Sequence, residues 1–347
     1  MPYTRADLVR TGKILTDDER PRSEQLWAAD ILGQWRADHA PLLESFETGV
    51  RERLAGLDAG ALVAHRLKRT PSIVAKLKKM QTLPLPNMQD IGGIRAVVRD
   101  LRTVQELERI FCQPAAPLVV ARHDNYIANP KPSGYRSSHL IYRNGEPPPG
   151  NGTFQFEFQI RTRLQHAWAT SVETVDALQQ FSLKSGLGPP EWLEYFVMVG
   201  GAFAFHEGCE PCEPFRSLGQ PETYRQTIAE TRRLYVRERL QNFTSAMQDM
   251  VQGNSDDYYL LQLYPEDRRT VTTTYRRDQL VEASAEYARW EERARQGERV
   301  LVALVAAGTV EALKQAYPNY FMDTQEFVKI LDLIEQSVAA PAPRPQA

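Results

Sequence analysis

The stretch Phe154-Gln-Phe-Glu-Phe-Gln-Ile-Arg-Thr162 alternates apolar and polar side chains. A period of two is typical of a β-strand, because successive side chains of a strand point to opposite faces of the sheet. The apolar side chains that we expect on the core face are Phe156, Phe158 and Ile160. The polar ones on the other face are Glu157, Gln159 and Arg161. That polar face is either a solvated outer surface of an edge strand or a surface that binds charged groups.

The segments around this strand predict a domain in which strands alternate with helices. Residues 139–143 are expected to form a hairpin with it, and two further runs, 91–98 and 118–121, have strand composition. A period near 3.6 predicts helices, at 22–55 with a break at Pro41, at 61–80 as a basic helix interrupted at Thr70-Pro71, and at 103–111 and 162–181. We therefore predict an α+β or α/β domain with its core at about 60–185.

A second set of elements follows in the C-terminal part of the chain. The pattern predicts one long helix over 221–252, and then a ββαβα module at about 255–335. The elements expected in that module are strands at 258–263 and 270–275, helix 279–295, strand 300–305, and helices 310–316 and 321–333. The predicted division is a first domain over 1–250, the module, and a disordered Ala/Pro-rich tail over 336–347.

Composition bounds the class of protein. The chain has 347 residues, a net charge of −2 and three cysteines. This charge predicts no chain-wide basic field for nucleic acid, so any RNA contact would need a local patch. Three cysteines make no disulfide framework, and the N-terminal residues lack the apolar core of a signal peptide. These features predict a cytoplasmic protein.

Residues of the types that bind a nucleoside triphosphate occur between Arg66 and Arg161. The triphosphate carries about four negative charges and needs several Lys or Arg. The chain supplies Arg66, Lys68, Lys76, Arg95, Lys131 and Arg161, with the hydroxyl of Ser72. Asp90 and Glu157 are of the type that Mg²⁺ prefers, and Tyr135 beside Gly134 offers a stacking face. Each group also has a simpler interpretation, as a solvated basic helix face, a turn aspartate or a polar loop.

Four motifs in this region resemble the synthetase domain of the RelA/SpoT superfamily. They are Arg66-x-Lys68-x3-Ser72-x3-Lys76, Asp90-x4-Arg95, Lys131-x2-Gly134-Tyr135-x3-His139 and Glu157-x-Gln159-x-Arg161-Thr162. Each motif is weak alone, and their order and spacing together make the resemblance specific. It implies a mixed-sheet, nucleotidyltransferase-like fold with flanking helices. It also implies a pyrophosphokinase that moves the β,γ-diphosphate of ATP onto a ribose hydroxyl.

The resemblance also implies a role for each motif residue. Those implied for ATP are Arg66 and Arg95 at the adenine, and Lys68, Ser72 and Lys76 at the phosphates. Asp90 and Glu157 would bind Mg²⁺, and Glu157 would also act as the base. Those implied for the acceptor are Lys131, Gly134, Tyr135, His139, Gln159 and Arg161, with Tyr135 stacked on the nucleobase.

The interpretation of two other motifs stays open. His206-x2-Cys209-x2-Cys212 is either part of a metal site or a loop that holds two thiols, since a structural zinc site normally has four ligands. Tyr317-Pro-Asn-Tyr320 predicts a turn whose rings either pack in the C-terminal module or are presented to a partner. The whole chain resembles the CapRel fused toxin–antitoxin proteins of phage defence. That resemblance implies that the ββαβα module is like a zinc finger without its zinc. It also implies that Tyr317 and Tyr320 block the ATP site until a phage capsid protein releases them.

The acceptor separates the functional hypotheses. The CapRel resemblance implies transfer to the 3′ CCA end of tRNA, which stops translation. The alternative is a GDP/GTP pyrophosphokinase that makes the alarmone (p)ppGpp. After the Gln-Ile-Arg-Thr strand, small synthetases carry an acidic residue and a Glu-His pair, whereas this chain has Gln165-His166 and Glu173. A third hypothesis, a fold relative that only binds nucleotide, fits less well with Asp90, Glu157 and Tyr135 all present.

Overall fold

The computed structural model describes residues 3–68, 70–113, 118–144, 154–179, 183, 186–241, 258–264, 267, 269–306 and 320–339. Their contacts form two compact units. The first, the sheet unit, is Met1–Tyr126 with Ser137–Thr162, and the second, the helical unit, is Ile127–Arg136 with Arg163–Ala347. The domain division predicted near residue 250 falls in 242–257, outside the described residues.

The sheet unit contains five helices and five strands among its described residues. The helices are α1 Arg5–Leu15, α2 Arg22–Ala37, α3 Ala40–Ala55, α4 Thr70–Lys79 and α5 Leu101–Phe111. The strands are β1 Leu62–Leu67, β2 Gly92–Val98, β3 Leu118–Asn125, β4 Ser138–Asn144 and β5 Gln155–Thr162. A short 3₁₀ turn, Leu85–Asn87, precedes β2.

The five strands form one mixed sheet in the order β1-β2-β5-β4-β3. β2 pairs with β5 in parallel, and the other neighbours pair antiparallel. The predicted α+β class and the hairpin of β4 with β5 are confirmed. β5 has a neighbour on each side, so the alternative that it is an edge strand is wrong. β3 runs four residues beyond the predicted end at Ala121.

The apolar face of this sheet packs on α3 and α5. Phe156, Phe158 and Ile160 are fully buried there, as predicted. Phe46 of α3 lies against Phe156 and Phe158, with ring centroids 5.0 and 5.3 Å apart. Burying such side chains stabilises the fold by roughly 1.5–3 kcal/mol each. The alternating pattern therefore fixes which face of the sheet is left for function.

The prediction of a single basic helix over 61–80 is wrong in its first half. Residues Leu62–Leu67 form β1, and only Thr70–Lys79 is helical. β1 owes its conformation to β2, which lies about thirty residues further along the chain and supplies the backbone hydrogen-bond partners along one side of β1. Local composition does not reveal such a partner, so basic residues within a short apolar run resembled a helix face.

In its described part, the helical unit contains four helices, then a small sheet with a helix between its second and third strands, and a C-terminal helix. The helices are α6 Arg163–Gln179, α7 Pro190–Glu207, α8 Phe215–Leu218 and α9 Gln220–Arg233. The other elements are β6 Tyr258–Tyr264, β7 Arg269–Tyr275, the helix Leu280–Arg295, β8 Leu301–Ala306 and the C-terminal helix Tyr320–Ala339. The three strands form a sheet in the order β7-β6-β8.

Two predictions for this unit need correction or stay open. The long helix over 221–252 is wrong, because α9 ends at Arg233 and a turn at 234–235 separates it from a further helical stretch at 236–241. Tyr235 adopts a positive φ of 51° in that turn, a conformation that helices of L-residues exclude. The predicted helix 310–316 and the tail after Ala339 lie outside the described residues.

The predicted ββαβα order is present, but its last helix has neighbours outside the small sheet. Phe327, Leu331 and Ile334 of the C-terminal helix are buried in a cluster with residues of α6, α7 and α9. Phe327 and Phe203 of α7 have ring centroids 5.1 Å apart. Within the helical unit, the end of the chain is thus part of the main helical core. None of the described helices is long and apolar enough to cross a membrane.

Candidate functional site

The polar face of the five-stranded sheet carries most of the predicted site. Strand register places side chains in rows that cross all five strands on this face. One row is Arg66, Gly93, Glu157, Ile141 and Arg122. The next is Ala64, Arg95, Gln159, His139 and Asp124. Pairing with β5 therefore brings together, on one face, residues of five strands that lie up to about ninety-five residues apart in the chain.

Glu157 lies at the centre of this face and is held by its neighbours. Its Oε1 is 2.6 Å from Nδ1 of His139, and its Oε2 accepts a hydrogen bond of 2.6 Å from Nε2 of Gln159. Burial by itself would raise the pKa of Glu157. The bonds from His139 and Gln159 and the charge of Arg161 outweigh it and lower the pKa to about 2. Glu157 is therefore a carboxylate at neutral pH.

Arg161 and Gln159 continue the chain of contacts along β5. Nη2 of Arg161 donates a hydrogen bond of 2.7 Å to Oε1 of Gln159. The Arg161 side chain is buried, with 4% of its surface exposed. Because a buried guanidinium needs hydrogen-bond acceptors or anions around it, Arg161 orders the polar face as well as adding charge. This contact makes Gln159 the link between the cation and Glu157.

Asp90 forms a second acidic centre with two lysines. Its Oδ2 is 2.9 Å from Nζ of Lys68, and its Oδ1 is 2.8 Å from Nζ of Lys76. Burial by itself would raise the pKa of Asp90. The two ammonium groups lower this pKa by more than burial raises it, so the net shift is downward. Lys68 follows β1, and its backbone N–H donates to the carbonyl of Ile91, which extends the ladder between β1 and β2. Asp90 thus lies where β1, β2 and α4 meet.

The predicted ATP residues come from three elements. Ser72 and Lys76 lie four residues apart on α4, so they share one side of that helix. Arg66 lies on β1, which rules out the shared helical side with Lys76 that a continuous helix would give. Arg66 and Glu157 are two strands apart in one row, with Cα atoms about 10 Å apart at ordinary strand spacing.

Arg95 lies on the polar face because β2 is regular. The pair Gly92-Gly93 makes no bulge, since β2 keeps continuous register with both β1 and β5. Gly93 faces the same side as Glu157, and a Cβ added to it would meet only the backbone oxygen of Glu157, at 3.9 Å. Gly92 faces the other side, where a Cβ would lie 2.9 Å from Leu43. Gly93 leaves open space between Arg66 and Glu157.

The predicted acceptor residues divide between the two units. His139, Gln159 and Arg161 belong to the sheet unit, whereas Lys131, Gly134 and Tyr135 belong to the helical unit. Gly134 has φ +82°, and a Cβ there would lie 3.0 Å from the carbonyl oxygen of Phe196 in α7. The glycine is therefore required for close packing of this loop on α7.

Tyr135 is half-buried in the same loop. Its ring meets Trp168 edge-on at 6.2 Å, and Nζ of Lys131 lies 5.2 Å from the ring centroid. A cation over an aromatic face is attracted by the ring quadrupole. Lys131 therefore already occupies part of the environment in which a stacked base was predicted.

Two residues of the polar face were missed by the sequence-based reasoning. Arg122 and Asp124 on β3 form an ion pair of 2.8 Å at the far side of the rows that contain Glu157 and Gln159. The signal was the alternation Arg122-His-Asp124, which continues β3 beyond a register shift between Val120 and Arg122. That bulge interrupts the apolar pattern by which the strand end was predicted.

The carboxylates fit Mg²⁺ under one condition. Mg²⁺ is usually bound by one or two carboxylates together with substrate phosphates and waters. Each oxygen of Asp90 accepts one hydrogen bond, from Lys68 or Lys76, and the two ammonium charges disfavour a cation there unless other anions neutralise them. The phosphates of a nucleotide would supply such anions. Asp90 and Glu157 are therefore suitable ligands for a metal that arrives with a nucleotide.

The residues around Cys209 and Cys212 do not form a group of metal ligands in the described part of the chain. No group of three or more His, Cys, Asp or Glu suited to a metal occurs among the residues that the structure describes. Cys209 and Cys212 are free, and burial raises the pKa of both thiols. Arg136 lies close to both, and its guanidinium pairs with Glu207 at 2.7 Å.

The structure says less about the tyrosine motif, since Tyr317 lies outside the described residues and Tyr320 begins the C-terminal helix.

Comparison with known proteins gives one family match. Residues 65–175 match the model of the region found in RelA/SpoT proteins. This match covers about a third of the chain and runs from the second half of β1 through most of α6. It supports the resemblance to the RelA/SpoT synthetase superfamily drawn from the motifs.

Curated relatives match over the same part of the chain. A GTP pyrophosphokinase of Bacillus subtilis (strain 168) is 32% identical over 146 residues, which are 40% of this chain and 58% of the relative. The GTP pyrophosphokinase of Escherichia coli (strain K12) is 31% identical over 145 residues, 40% of this chain and 18% of the relative. The chain thus spans between a fifth and three fifths of the length of these relatives.

Solved structures give a weaker likeness. The small alarmone synthetase 2 of Bacillus subtilis is 21% identical, with a TM-score of 0.42, and covers 52% of this chain and 94% of that one. The small alarmone synthetase 1 of Bacillus subtilis bound to pppGpp is 26% identical, with a TM-score of 0.35. The match covers 40% of this chain and 78% of that one. These scores are too low to establish a shared fold.

Proposed function

We propose that this protein is a pyrophosphokinase that transfers the β,γ-diphosphate of ATP to a ribose hydroxyl. The observation that carries the proposal is the pair of ionised carboxylates, Asp90 and Glu157, set among cations in the segment that matches RelA/SpoT proteins. Phosphoryl transfer depends mainly on positioning and on stabilisation of negative charge. A fixed array of carboxylates and cations serves both needs.

The proposed donor site uses the residues near Asp90. Lys68, Ser72 and Lys76 would hold the phosphates, with Arg66 and Arg95 at the adenine. When phosphates bind, they replace Asp90 as the partner of Lys68 and Lys76, and Asp90 becomes available as a ligand. Mg²⁺ bound by Asp90 and Glu157 would neutralise charge on the phosphates.

Glu157 is better suited to bind a metal ion than to act as the base that accepts a proton. A carboxylate with a pKa of about 2 is a weak proton acceptor, because efficient bases have a pKa near the working pH. Its proposed part is therefore to hold Mg²⁺ and to orient His139, whose Nδ1 it contacts at 2.6 Å. The role of Glu157 as the base, which the family resemblance implies, stays a prediction.

The names of the curated relatives favour a guanine nucleotide as the acceptor. Both relatives described above are named GTP pyrophosphokinase. We therefore place GDP or GTP first, and the 3′ CCA end of tRNA, which the CapRel resemblance implies, second. Tyr135, with Lys131, Gly134, His139, Gln159 and Arg161, is the proposed acceptor set in either case.

The test incubates the full chain with γ-³²P-ATP and Mg²⁺, together with GDP, GTP or total tRNA. A labelled guanine nucleotide supports the first acceptor, and labelled tRNA supports the second. Transfer to tRNA should also fall steeply with salt, because neutralised phosphates release counterions. Glu157→Gln is the matched control for contaminating kinases. If none of the acceptors is labelled by folded protein, the pyrophosphokinase proposal is wrong.

Autoinhibition belongs to the toxin–antitoxin alternative. Tyr317 and Tyr320 are proposed to fill the adenine site until a phage capsid protein binds the C-terminal module. An intramolecular plug acts at an effective concentration of about millimolar, so modest contacts suffice. The double variant Tyr317→Ala/Tyr320→Ala should then be toxic on expression, and Glu157→Gln added to it should remove the toxicity. Normal growth with the soluble double variant would contradict this role.

A further inference from the structure

A second group of reactive side chains lies on the other side of the sheet from Glu157. His123 on β3 pairs with Leu140, so it faces the side that packs on α5, away from its neighbour Asp124. Nε2 of His123 is 3.0 Å from Oε1 of Glu108, and Nδ1 is 3.8 Å from Sγ of Cys112 at the end of α5. One imidazole thus links a carboxylate to a thiol.

The carboxylate decides which ring nitrogen can accept a proton. A carboxylate can only accept a hydrogen bond, so in a hydrogen bond with Glu108 it is Nε2 of His123 that carries the hydrogen. In the neutral ring, Nδ1 then has the free lone pair, and it is the nitrogen that faces Cys112. Asn125 donates a hydrogen bond of 3.1 Å to the same Oε1 of Glu108 and helps to fix that carboxylate.

The remaining neighbours of His123 leave this arrangement in place. Oγ of Ser138 on β4 lies 3.0 Å from Nε2, and a hydroxyl can accept from the same N–H. Asp124 and Arg122 pair with each other on the opposite face of the sheet. The His123 side chain is 33% exposed, and that of Glu108 is 13% exposed. Solvent molecules and small reagents can therefore reach the group.

The resting thiol is protonated. Burial, and then the negative charge of Glu108, raise the pKa of Cys112 above its ordinary value. A thiolate is the reactive form of cysteine, so Cys112 becomes nucleophilic only when a base takes its proton. His123 is placed to do so, and Glu108 would stabilise the imidazolium that results. A nucleophile, a base and a group that orients the base are the parts that nucleophilic catalysis requires.

We propose that Cys112 is a modification site whose thiol His123 activates toward hydroperoxides. The proton of Sγ moves to Nδ1 of His123, and sulfur attacks one peroxide oxygen. The S–O bond forms as the O–O bond breaks, and the leaving oxygen takes the proton from the imidazolium. Cysteine is oxidised by two electrons to a sulfenic acid, and the peroxide is reduced to water or an alcohol. This site is separate from the pyrophosphokinase proposal and does not depend on it.

The test uses the three cysteines of the full chain, of which Cys209 and Cys212 are internal references. Hydrogen peroxide with dimedone, and separately iodoacetamide, are applied between pH 6 and 9, and labelling at each cysteine is followed by mass spectrometry. His123→Ala should slow the labelling of Cys112 at pH 7 by about tenfold or more, since general-base catalysis typically contributes at least that much. The rates at Cys209 and Cys212 should stay unchanged.

Glu108→Gln gives a second, independent measure. It keeps a hydrogen-bond acceptor for His123 but removes the charge. That charge stabilises the imidazolium at 3.0 Å more than it disfavours the more distant thiolate, so Cys112 should react several-fold more slowly with either reagent. The pH profile of the wild type should also level off at lower pH than that of His123→Ala, and added imidazole should partly restore the rate of that variant. If Cys112 reacts within twofold of the wild-type rate in both folded variants, the proposal is wrong.

Discussion

The two faces of the five-stranded sheet share the same strands but differ in what holds their side chains. On the apolar face, Phe156 and Phe158 are fully buried against α3 and α5. On the polar face, Glu157 and Gln159 are partly exposed and are held by hydrogen bonds. Packing on the apolar face stabilises the fold, while charge on the polar face is available for chemistry. Changes on the two faces should therefore be separable by experiment.

The largest expected effects come from neighbouring residues of β5. Glu157→Gln should lower diphosphate transfer by about 10²–10³-fold, because it removes a charge that supports the transferring group. At neutral pH its free energy of unfolding should fall only modestly, because the stabilising contribution of the ionised Glu157 is lost but the core stays intact. Phe158→Ala should instead lower the free energy of unfolding by about 3–5 kcal/mol, since it leaves a cavity in the core.

Both variants are measured by denaturant unfolding and by transfer from labelled ATP under conditions where each is folded. Asp90→Asn tests the second carboxylate in the same way and should also abolish transfer. Wild-type turnover in folded Glu157→Gln would remove Glu157 from the site.

The adjacent glycines of β2 make a closer comparison of the two faces. Gly92→Ala places a Cβ 2.9 Å from the buried Leu43 and should destabilise the fold by about 1–3 kcal/mol. Gly93→Ala has room for its Cβ and should leave stability within about 0.5 kcal/mol, as for ordinary surface changes. Only Gly93→Ala should weaken ATP use in the folded protein. Equal losses of stability in the two variants would contradict this contrast.

Two lysines of α4 separate the site from the surrounding surface. Lys76 pairs with Asp90 at the proposed donor site, whereas Lys78 pairs with Asp18 at 2.7 Å on an exposed surface. Lys76→Met should raise the KM for ATP about tenfold. The variant loses a charge-assisted hydrogen bond of about 1.4 kcal/mol, and that energy corresponds to a tenfold change in binding. Lys78→Met should change it less than twofold, because exposed ion pairs contribute little. A similar KM in both variants would place the phosphates elsewhere.

The smallest expected effect is the acid dependence of stability. The pKa of Glu157 is lowered from 4.5 to about 2 in the folded protein, so its ionised form favours folding above about pH 4.5. That contribution is lost as the pH falls through the folded value. The difference in unfolding free energy between wild type and Glu157→Gln should therefore shrink between about pH 4.5 and 2. Urea unfolding in metal-free buffer with a chelator measures it, and a difference that stays constant would contradict the lowered pKa.

Local sequence was most informative where one face of an element is buried. The alternation in β5 predicted the strand and both of its faces, because a one-residue slip would expose all three apolar side chains. It was least informative for β1, whose conformation depends on pairing with β2 far along the chain. The prediction of a long helix over 221–252 failed for a related reason, because one residue, Tyr235, changes the backbone direction.

The candidate site shows the same division. Its residue types and their order, from Arg66 to Arg161, are visible in the sequence and gave the resemblance to RelA/SpoT synthetases. The contacts among them are not visible, since sequence spacing does not say that Lys68 and Lys76 meet on Asp90 or that His139 contacts Glu157.

The sequence alone determined the alternation that gives the sheet a buried face and a polar face, because side-chain period and hydrophobicity are local properties. Tertiary structure decided which strands lie beside one another, and therefore which polar residues share a row with Glu157. It also decided that Gly134 serves packing on α7 and that His123 joins Glu108 to Cys112. The physical reason is that strand register and helix packing set distances between residues that the chain keeps far apart.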